Sequence, residues 1–151
     1  MAKLTKFVEP ASPMGLYARL GRKLGVSRIR SDRDLASLVE KRFPASAIQS
    51  LVRSGLSDAE VYQLIVPWRT LAHRKAKRQA LSKEESDKAV RVARITSSAE
   101  QVFGESERAW RWLRKPKRYF DGKTPIDMLA TEAGARLVEE MIVQIDDGMA
   151  A

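Results

Sequence analysis

The sequence predicts an all-α protein, and three observations support that prediction. Apolar residues recur at spacings of three and four along most of the chain, as they do on one face of a helix. Two Ser-x-x-Glu pairs, which begin at Ser57 and Ser82, match the capping box that opens a helix. No stretch of the sequence shows the apolar–polar alternation typical of a β-strand.

The first predicted elements follow residue 30. Residues 1–15 contain two prolines and no periodicity, so we expect a loose arm there and assign residues 1–30 no firm structure. From Ser31, the segment SDRDLASLVEKRF places an N-cap residue and early acids before helically spaced apolar residues, and Pro44 ends it. The segment ASAIQSLVRSG then predicts a short helix that stops at Gly55.

The middle of the chain predicts a helix-turn-helix. A capped helix, SDAEVYQLI, is followed by a break at Pro67 and by a second, basic helix, and this order is the pattern of that motif. Leu71, Ala72 and Ala76 are expected to pack against the apolar face of the first helix. The capping box at Ser82 then opens a longer helix that runs through Ile95.

The basic helix carries the candidate DNA-binding residues. Four side chains at i, i+3, i+4 and i+7 are expected to share an outward face, on which an arginine is able to hold guanine through two hydrogen bonds: Thr70, His73, Arg74 and Lys77. Three further cations flank this face, where the phosphates of a major groove would lie: Arg69, Lys75 and Arg78.

The charge distribution favours duplex DNA as the partner of this helix. The chain has a net charge of +9, and no acid occurs between residues 61 and 83. A solvated helix face usually alternates charge signs, and a membrane-surface helix needs a large apolar face, whereas here mostly Ala lies opposite the cations. The helix also lacks the aromatic stacking surface that single strands favour. Positive charge that serves only solubility stays open as an alternative.

The rest of the composition argues against an enzyme. There is no Cys, the one His lies on the basic helix, and neither a P-loop nor a dinucleotide-binding glycine motif is present. Asp146 and Asp147 would point apart on a helix. We therefore predict no catalytic residue, no metal site and no cofactor. The absence of Cys, of a secretory signal and of a membrane-spanning run indicates a cytoplasmic protein without membrane contact.

The C-terminal part predicts a small second helical unit. Thr124 caps a helix that begins with Pro125, and Gly134 either ends a short helix at Thr131 or permits close packing. A final helix is expected over residues 135–146. The expected core residues are Trp110, Trp112, Leu113, Phe120, Ile126, Met128 and Leu129. The expected apolar stripe of the final helix is Leu137, Val138, Met141, Ile142 and Ile145.

Both halves of the chain resemble one protein family. The run RTLAHRKAKRQALSKEESDKAVRVARI, followed by VFG, resembles the DNA-binding half of the Xre/MbcA/ParS-type antitoxins. The segment ERAWRWLRKPKRYFDGKTPIDMLATEAGARLVEEMIVQIDDG is similar to their toxin-binding domain. The resemblance implies an Xre-like helix-turn-helix domain over residues 31–96 and a toxin-binding domain over residues 97–151, behind an arm at residues 1–30.

The resemblance also implies partners. Antitoxins of this family pair with a RES-domain toxin, an enzyme that consumes NAD, and they bind their own promoter. Their extreme C-terminus covers the active-site cleft of the toxin, and the acidic balance of residues 119–151, two basic against seven acidic residues, suits that role. The corresponding toxin-binding residues are Asp146, Asp147, Gly148, Met149, Ala150 and Ala151. We expect a homodimer or a hetero-oligomer with the toxin, and a stand-alone helix-turn-helix repressor remains the alternative.

Overall fold

The computed structural model describes residues 13–150, with side chains described for residues 15–148. Within that range the structure contains helices and no strand, so the all-α prediction is confirmed. The elements are α1 Pro13–Leu24, α2 Asp32–Lys41, α3 Ser46–Arg53, α4 Asp58–Leu64, α5 Trp68–Ala76, α6 Lys83–Phe103, α7 Ser106–Leu113, α8 Pro125–Met128 and α9 Glu132–Ala150, with a short 3-10 turn at Arg118–Phe120.

Helix α6 is the axis of the fold. It is 21 residues long, and α1, α2, α7 and α9 all pack against it. Its buried residues are mostly small or β-branched, which lets several helices approach it closely: Ala89, Val90, Val92, Ala93, Ile95 and Ala99. Gly104 ends it in the left-handed conformation that favours glycine. One helix therefore holds the N-terminal and C-terminal halves on a common core.

The structure contains a helix that the sequence analysis missed. Helix α1 begins at Pro13, where proline is well tolerated, and packs against α3 and α6. Leu20 and Leu24 on this helix are fully buried, and Leu16 packs at the edge of the core. The expected loose arm over residues 1–15 is therefore wrong for its last residues, while residues 1–12 lie outside the described part. The helical signal was the spacing of these three leucines.

The predicted helix starts in the first half are confirmed. Ser31 Oγ accepts a hydrogen bond from the Asp34 N–H at 3.2 Å, and Ser57 and Ser82 each form a complete capping box with the glutamate three residues later. These bonds satisfy backbone N–H groups that the first turn of a helix leaves without a partner. The sequence therefore located the starts of α2, α4 and α6 from local chemistry alone.

The second half also follows the predicted caps. Thr124 Oγ1 accepts a hydrogen bond from the Asp127 N–H at 3.1 Å, and Pro125 is the first residue of α8. Gly134 lies inside α9, where a side-chain carbon would collide with the backbone carbonyl oxygen of Met128. Close packing is therefore the reason for this glycine. Five of the seven expected core residues are buried, while Trp112 and Met128 are half-buried.

The final helix is longer and less fully buried than expected. Helix α9 spans Glu132–Ala150 rather than residues 135–146, so residues 132–134 and 147–150 are helical as well. Val138 and Ile142 are buried at 0% and 3% exposure, but Leu137 is exposed. The prediction of a complete apolar stripe is therefore wrong at Leu137, which lies on the solvent side of the helix.

Candidate functional site

The connection between α4 and α5 has the geometry of a helix-turn-helix. After α4 ends at Leu64, the Val66 N–H donates to the Val61 carbonyl at 3.1 Å. Ile65 and Val66 are buried, which ties the turn to the core. Pro67 then caps α5 and, because it has no N–H, prevents the first helix from continuing. The predicted motif is confirmed at this break.

Most of α5 faces away from the core. Leu71 is its one buried residue, at 5% exposure. Ala72 and Ala76 are exposed, so the expectation that they pack against α4 is wrong. Because Leu71 is the one side chain that α5 buries, most of the circumference of the helix is open to a partner.

The candidate DNA-binding residues fall into three groups. Arg69, His73 and Lys75 are exposed on α5, and Thr70 is half-buried on the same helix. Arg74 is half-buried and is held by a second helix. Lys77 and Arg78 are exposed but lie beyond the last residue of α5.

The helical spacing predicted that Arg74 projects freely from the outward face of α5, but the structure shows that it does not. Its Nε donates to Glu85 Oε1 at 2.7 Å and its Nη2 donates to Glu85 Oε2 at 3.2 Å. Glu85 also accepts the Ser82 N–H at 2.8 Å in the capping box of α6. A guanidinium held in this two-bonded pair is not available to hold guanine in the same way. Arg74 therefore fixes α5 to the start of α6.

The same contacts lower the pKa of the Glu85 carboxyl. Burial alone would raise the pKa of this carboxyl, but the hydrogen bonds from Arg74 and Ser82 outweigh burial and hold the pKa below its ordinary value. Glu85 is therefore ionised near neutral pH and able to keep both contacts.

Helix α5 ends before Lys77, the last residue of the predicted face, and before the flanking Arg78. Lys77 is the C-cap of α5, and Arg78 has a φ of 53°, in the left-handed region that non-glycine residues rarely adopt. The chain is pinned just beyond this point, because the Leu81 N–H donates to the Phe43 carbonyl at 2.9 Å. Lys77 and Arg78 thus belong to a short, anchored loop.

A cleft of about 660 Å³ lies beside that loop. Lys75 and Arg78 line one side, while Ser46 and Gln49 of α3 line the other. Neither cation forms a salt bridge within the described part of the chain. Cations and polar groups around a cleft suit a backbone phosphate, which takes both kinds of hydrogen-bond donor.

Trp68 is an exposed aromatic residue on α5, so the expectation that this helix lacks an aromatic stacking surface is wrong. Trp68 is 58% exposed at the first position of α5, and the Arg69 guanidinium lies 5.5 Å from its ring centroid. Residues at the start of a recognition helix are those that contact base edges. The signal in the sequence was a large aromatic residue directly after the proline of the turn.

The predicted toxin-binding residues lie on the last turns of α9. Asp146, Asp147 and Gly148 are exposed, and α9 continues to Ala150, so these residues are helical rather than a separate tail. Met149 and Ala150 belong to the helix by their backbone, and Ala151 lies outside the described residues. Val143, 52% exposed on the same helix, is an apolar surface residue that the sequence analysis did not select.

Two further features bear on function. Among the described side chains, no three His, Asp or Glu residues are grouped so that they could hold a metal ion. None of the described helices combines the length and the apolar character that crossing a bilayer requires.

Comparisons with known proteins match the two halves separately and in order. Residues 34–94 match the antitoxin Xre-like helix-turn-helix domain, and residues 98–148 match the antitoxin Xre/MbcA/ParS C-terminal toxin-binding domain. Helix α1 lies outside both matched segments.

Whole-chain relatives agree with these matches. An Antitoxin Xre of Pseudomonas putida strain KT2440 is 40% identical over 131 residues, which cover 87% of this chain and 82% of the relative. An Antitoxin Xre of Yersinia enterocolitica is 26% identical over 86% of this chain and 89% of its own length. A protein of Sphingobium sp. strain YBL2, named Prs ADP-ribosylating antitoxin, is 27% identical over 91% of this chain and 89% of its own length. The chain therefore belongs to the Xre/MbcA/ParS family of antitoxins, as its sequence resemblance indicated.

Proposed function

We propose that this antitoxin blocks the active site of a RES-domain toxin that consumes NAD, and that it binds its own promoter as an autoregulator. The observation that carries the proposal is the pairing of the two matched segments, residues 34–94 and 98–148, on the common core around α6. The name of the Sphingobium relative supports an NAD-consuming partner, because ADP-ribosylation uses NAD as its donor. In this proposal the antitoxin acts by binding and performs no catalysis.

The exposed start and middle of α5 form the proposed DNA-reading surface. Arg69, Thr70 and His73 lie nearest its N-terminus, where a recognition helix meets base edges in the major groove. Lys75, Lys77 and Arg78 lie at the other end, where Lys75 and Arg78 line the cleft, so we assign all three to backbone phosphates. Arg74 takes a different role from the one predicted, since its ion pair with Glu85 positions the helix.

Two variants separate these roles in an operator-binding assay. Arg69→Ala is expected to weaken binding to the promoter by about 1–3 kcal/mol and to relax sequence preference, if this residue reads a base. Lys75→Ala with Arg78→Ala is expected to weaken binding to all duplexes alike and to reduce the dependence of affinity on salt. Lys88→Ala is the matched control, because Lys88 is exposed on α6 without a salt bridge in the described part of the chain. Unchanged promoter affinity in a folded Arg69/Lys75/Arg78 triple alanine variant would refute the assignment.

The proposed toxin-binding surface is the end of α9 together with the C-terminal domain that carries it. A cleft that binds the anionic pyrophosphate of NAD should supply cationic groups and hydrogen-bond donors. Asp146 and Asp147 are exposed carboxylates at the end of a helix, so they are able to enter such a cleft and compete for the same groups. Gly148, Met149, Ala150 and Ala151 follow them, and Met149 is the one large side chain among these four residues.

The partner is tested by affinity purification of the full-length protein from its native host, with mass spectrometry of the proteins retained. We expect a RES-domain protein in a stable complex, and we expect the purified complex to consume NAD more slowly than the isolated toxin. Recovery of promoter DNA without any toxin would favour the stand-alone repressor. The mass of the complex in solution would also give its stoichiometry, which we expect to be a homodimer or a hetero-oligomer with the toxin.

A further inference from the structure

A cavity of about 390 Å³ lies between α1, α3 and α6, apart from the two surfaces already described. Four basic side chains line it: Arg19, Arg22, Lys23 and Arg53. Glu100 is the one acid in its lining, and the hydroxyl-bearing Ser50 contributes from α3. The lining therefore carries a formal surplus of three positive charges in a concave site.

The cations are unequally neutralised. Lys23 is 5% exposed, forms an ion pair with Glu100 and donates to Thr96 Oγ1 at 2.9 Å. Arg19, Arg22 and Arg53 form no salt bridge with any acid in the described part of the chain. Glu100 thus compensates the buried lysine and leaves the three arginines of the cavity unneutralised.

The position of Lys23 ties the cavity to the core of the fold, while Arg22 and Arg53 are exposed to solvent. The ammonium group of Lys23 lies 5.6 Å from the ring centroid of Trp110, which belongs to α7. Burial lowers the pKa of Lys23, and the hydrogen bond to Glu100 opposes that shift. A further anion beside Lys23 would also favour its charged form. The cavity therefore joins α1 to residues of both matched segments.

The geometry points to a binding site for a small anion that carries linked phosphoryl groups, held between Arg19, Arg22 and Arg53. Guanidinium groups bind phosphoryl oxygens through paired hydrogen bonds, and three of them match an anion with several negative charges better than a single carboxylate. The volume falls within the range of about 300–1,000 Å³ typical of small-molecule pockets, so it admits more than an isolated phosphate ion. The recessed lysine favours a small ligand over the backbone of a duplex, which approaches from outside.

Binding of inorganic pyrophosphate and of ADP to the full-length protein, measured by calorimetry at constant ionic strength, tests this assignment. We expect saturable binding of both anions with one site per chain and none of adenosine. Arg22→Gln with Arg53→Gln should weaken pyrophosphate binding by about tenfold or more, because each lost charge-assisted hydrogen bond contributes on the order of a factor of ten. Arg33→Gln with Arg108→Gln removes the same charge from exposed positions outside the cavity and should leave binding unchanged.

A variant with the opposite effect guards against loss of binding through misfolding. Glu100→Gln removes the one carboxylate of the cavity and keeps a hydrogen-bond acceptor, so pyrophosphate should bind more tightly and should raise the melting temperature of this variant more than that of the parent. If the test pair and the control pair of arginine variants weaken pyrophosphate binding equally, the binding is general charge attraction and the proposed site is overturned. Absence of pyrophosphate binding at millimolar concentration would also overturn the site. So would the finding that the Arg22/Arg53 variant loses DNA affinity while the parent binds no pyrophosphate.

Discussion

Arg114, just after α7, holds Glu60 of α4 through two hydrogen bonds. Nε donates to Oε2 at 3.0 Å and Nη2 donates to Oε1 at 2.7 Å. The same Nη2 donates to the Gly55 carbonyl at 2.7 Å, and the guanidinium lies 4.6 Å from the ring centroid of Trp110. Because Glu60 also completes the capping box with Ser57, a residue of the C-terminal segment supports the first helix of the helix-turn-helix.

Arg114→Ala is expected to loosen the contact between the two segments. Glu60 keeps its bond to the Ser57 N–H but loses both bonds to the guanidinium, and the Gly55 carbonyl loses a donor. Since Arg114 is partly exposed, we expect a loss of about 1–2 kcal/mol in the free energy of unfolding, measured by urea denaturation. Arg114→Lys should fall between the parent and the alanine variant, because lysine keeps the charge without the paired geometry.

Hydrogen exchange gives a second readout for this contact. Amides at the start of α4 should exchange faster in Arg114→Ala than in the parent, whereas those in the middle of α6 should change less. Arg111→Ala is the control, because Arg111 forms an exposed salt bridge with Glu107 on the same helix, α7. Equal stability of the Arg114→Ala variant and the parent would contradict the proposed support.

Glu60 also predicts a pH dependence of stability. Burial alone would raise its pKa, but hydrogen bonds from Arg114 and Ser57 outweigh burial and lower the pKa below its ordinary value. A carboxyl with a lowered pKa in the folded state stabilises the protein fully above its unfolded pKa of about 4.3. That contribution is lost as the pH falls through the folded pKa.

The measurement is the free energy of unfolding of the parent and of Glu60→Gln across the acid range. The parent should be more stable at pH 7. The difference should shrink as the pH falls below the unfolded pKa of about 4.3, because the unfolded parent then binds a proton that the folded parent does not. Glu107→Gln is the control, since the ion pair of Glu107 is exposed. A difference between the parent and Glu60→Gln that stays constant with pH would contradict the proposed linkage.

Local chemistry explains which parts of this fold were predictable. Ser31, Ser57, Ser82 and Thr124 each cap the helix that their sequence pattern predicted, because a cap is decided within four residues. The break at Pro67 was predictable for the same reason. Helix α1 was missed because the short apolar spacing of its leucines is weak evidence without the α3 and α6 surfaces that bury them.

The site was only partly predictable because its decisive contacts are distant in sequence. Helical spacing placed Arg74 on an outward face, but Glu85, 11 residues later, holds it. Spacing likewise gave no indication that Arg114 would contact Glu60, since 54 residues separate them. The position of Lys23 beside Glu100 also depends on how α1 packs on α6. Such pairs become visible only after the helices have been assembled.

The proposed positioning role of Arg74 gives a further prediction. If Arg74 positions α5, Arg74→Gln should lower stability and weaken binding to all operators without changing the ratio of affinities between the promoter and single-base variants of it. Arg69→Gln should change that ratio at one base pair. The measurement is a competition assay with each base of the promoter varied in turn. A base-specific change in the Arg74 variant would restore the original assignment of this residue to base reading.

Two glycines of α9 provide a matched test of packing. Gly134→Ala should destabilise the protein by more than about 1 kcal/mol, because the added carbon collides with the carbonyl of Met128. Gly148→Ala should be neutral or should stabilise by up to about 1 kcal/mol, since a side chain there meets open space and alanine favours helix. Thermal unfolding of both variants measures the difference. Equal melting temperatures for the two would argue against the close approach at Gly134.

The last prediction concerns the proposed block of the toxin active site by the end of α9. Removal of residues 146–151 takes away the end of α9 but leaves the buried Val138 and Ile142, so the C-terminal domain should stay folded. The shortened protein should retain much of its affinity for the toxin, because the rest of the domain still docks, while NAD consumption and toxicity should return. Calorimetry measures the affinity, and an NAD-consumption assay on the purified complex measures the block.

Charge reversal tests the same end of the helix without shortening it. Asp146→Lys with Asp147→Lys should weaken the complex more at low salt than at high salt, because screening reduces the repulsion from a cationic cleft. Glu139→Lys with Glu140→Lys makes the same change in charge earlier on α9 and should relieve inhibition less, since these residues lie farther from the end of the helix. A shortened antitoxin that inhibits NAD consumption as fully as the intact protein would show that the end of α9 does not fill the cleft. Equal effects of the two charge reversals would show that the overall acidity of α9, and not its end, contributes to inhibition.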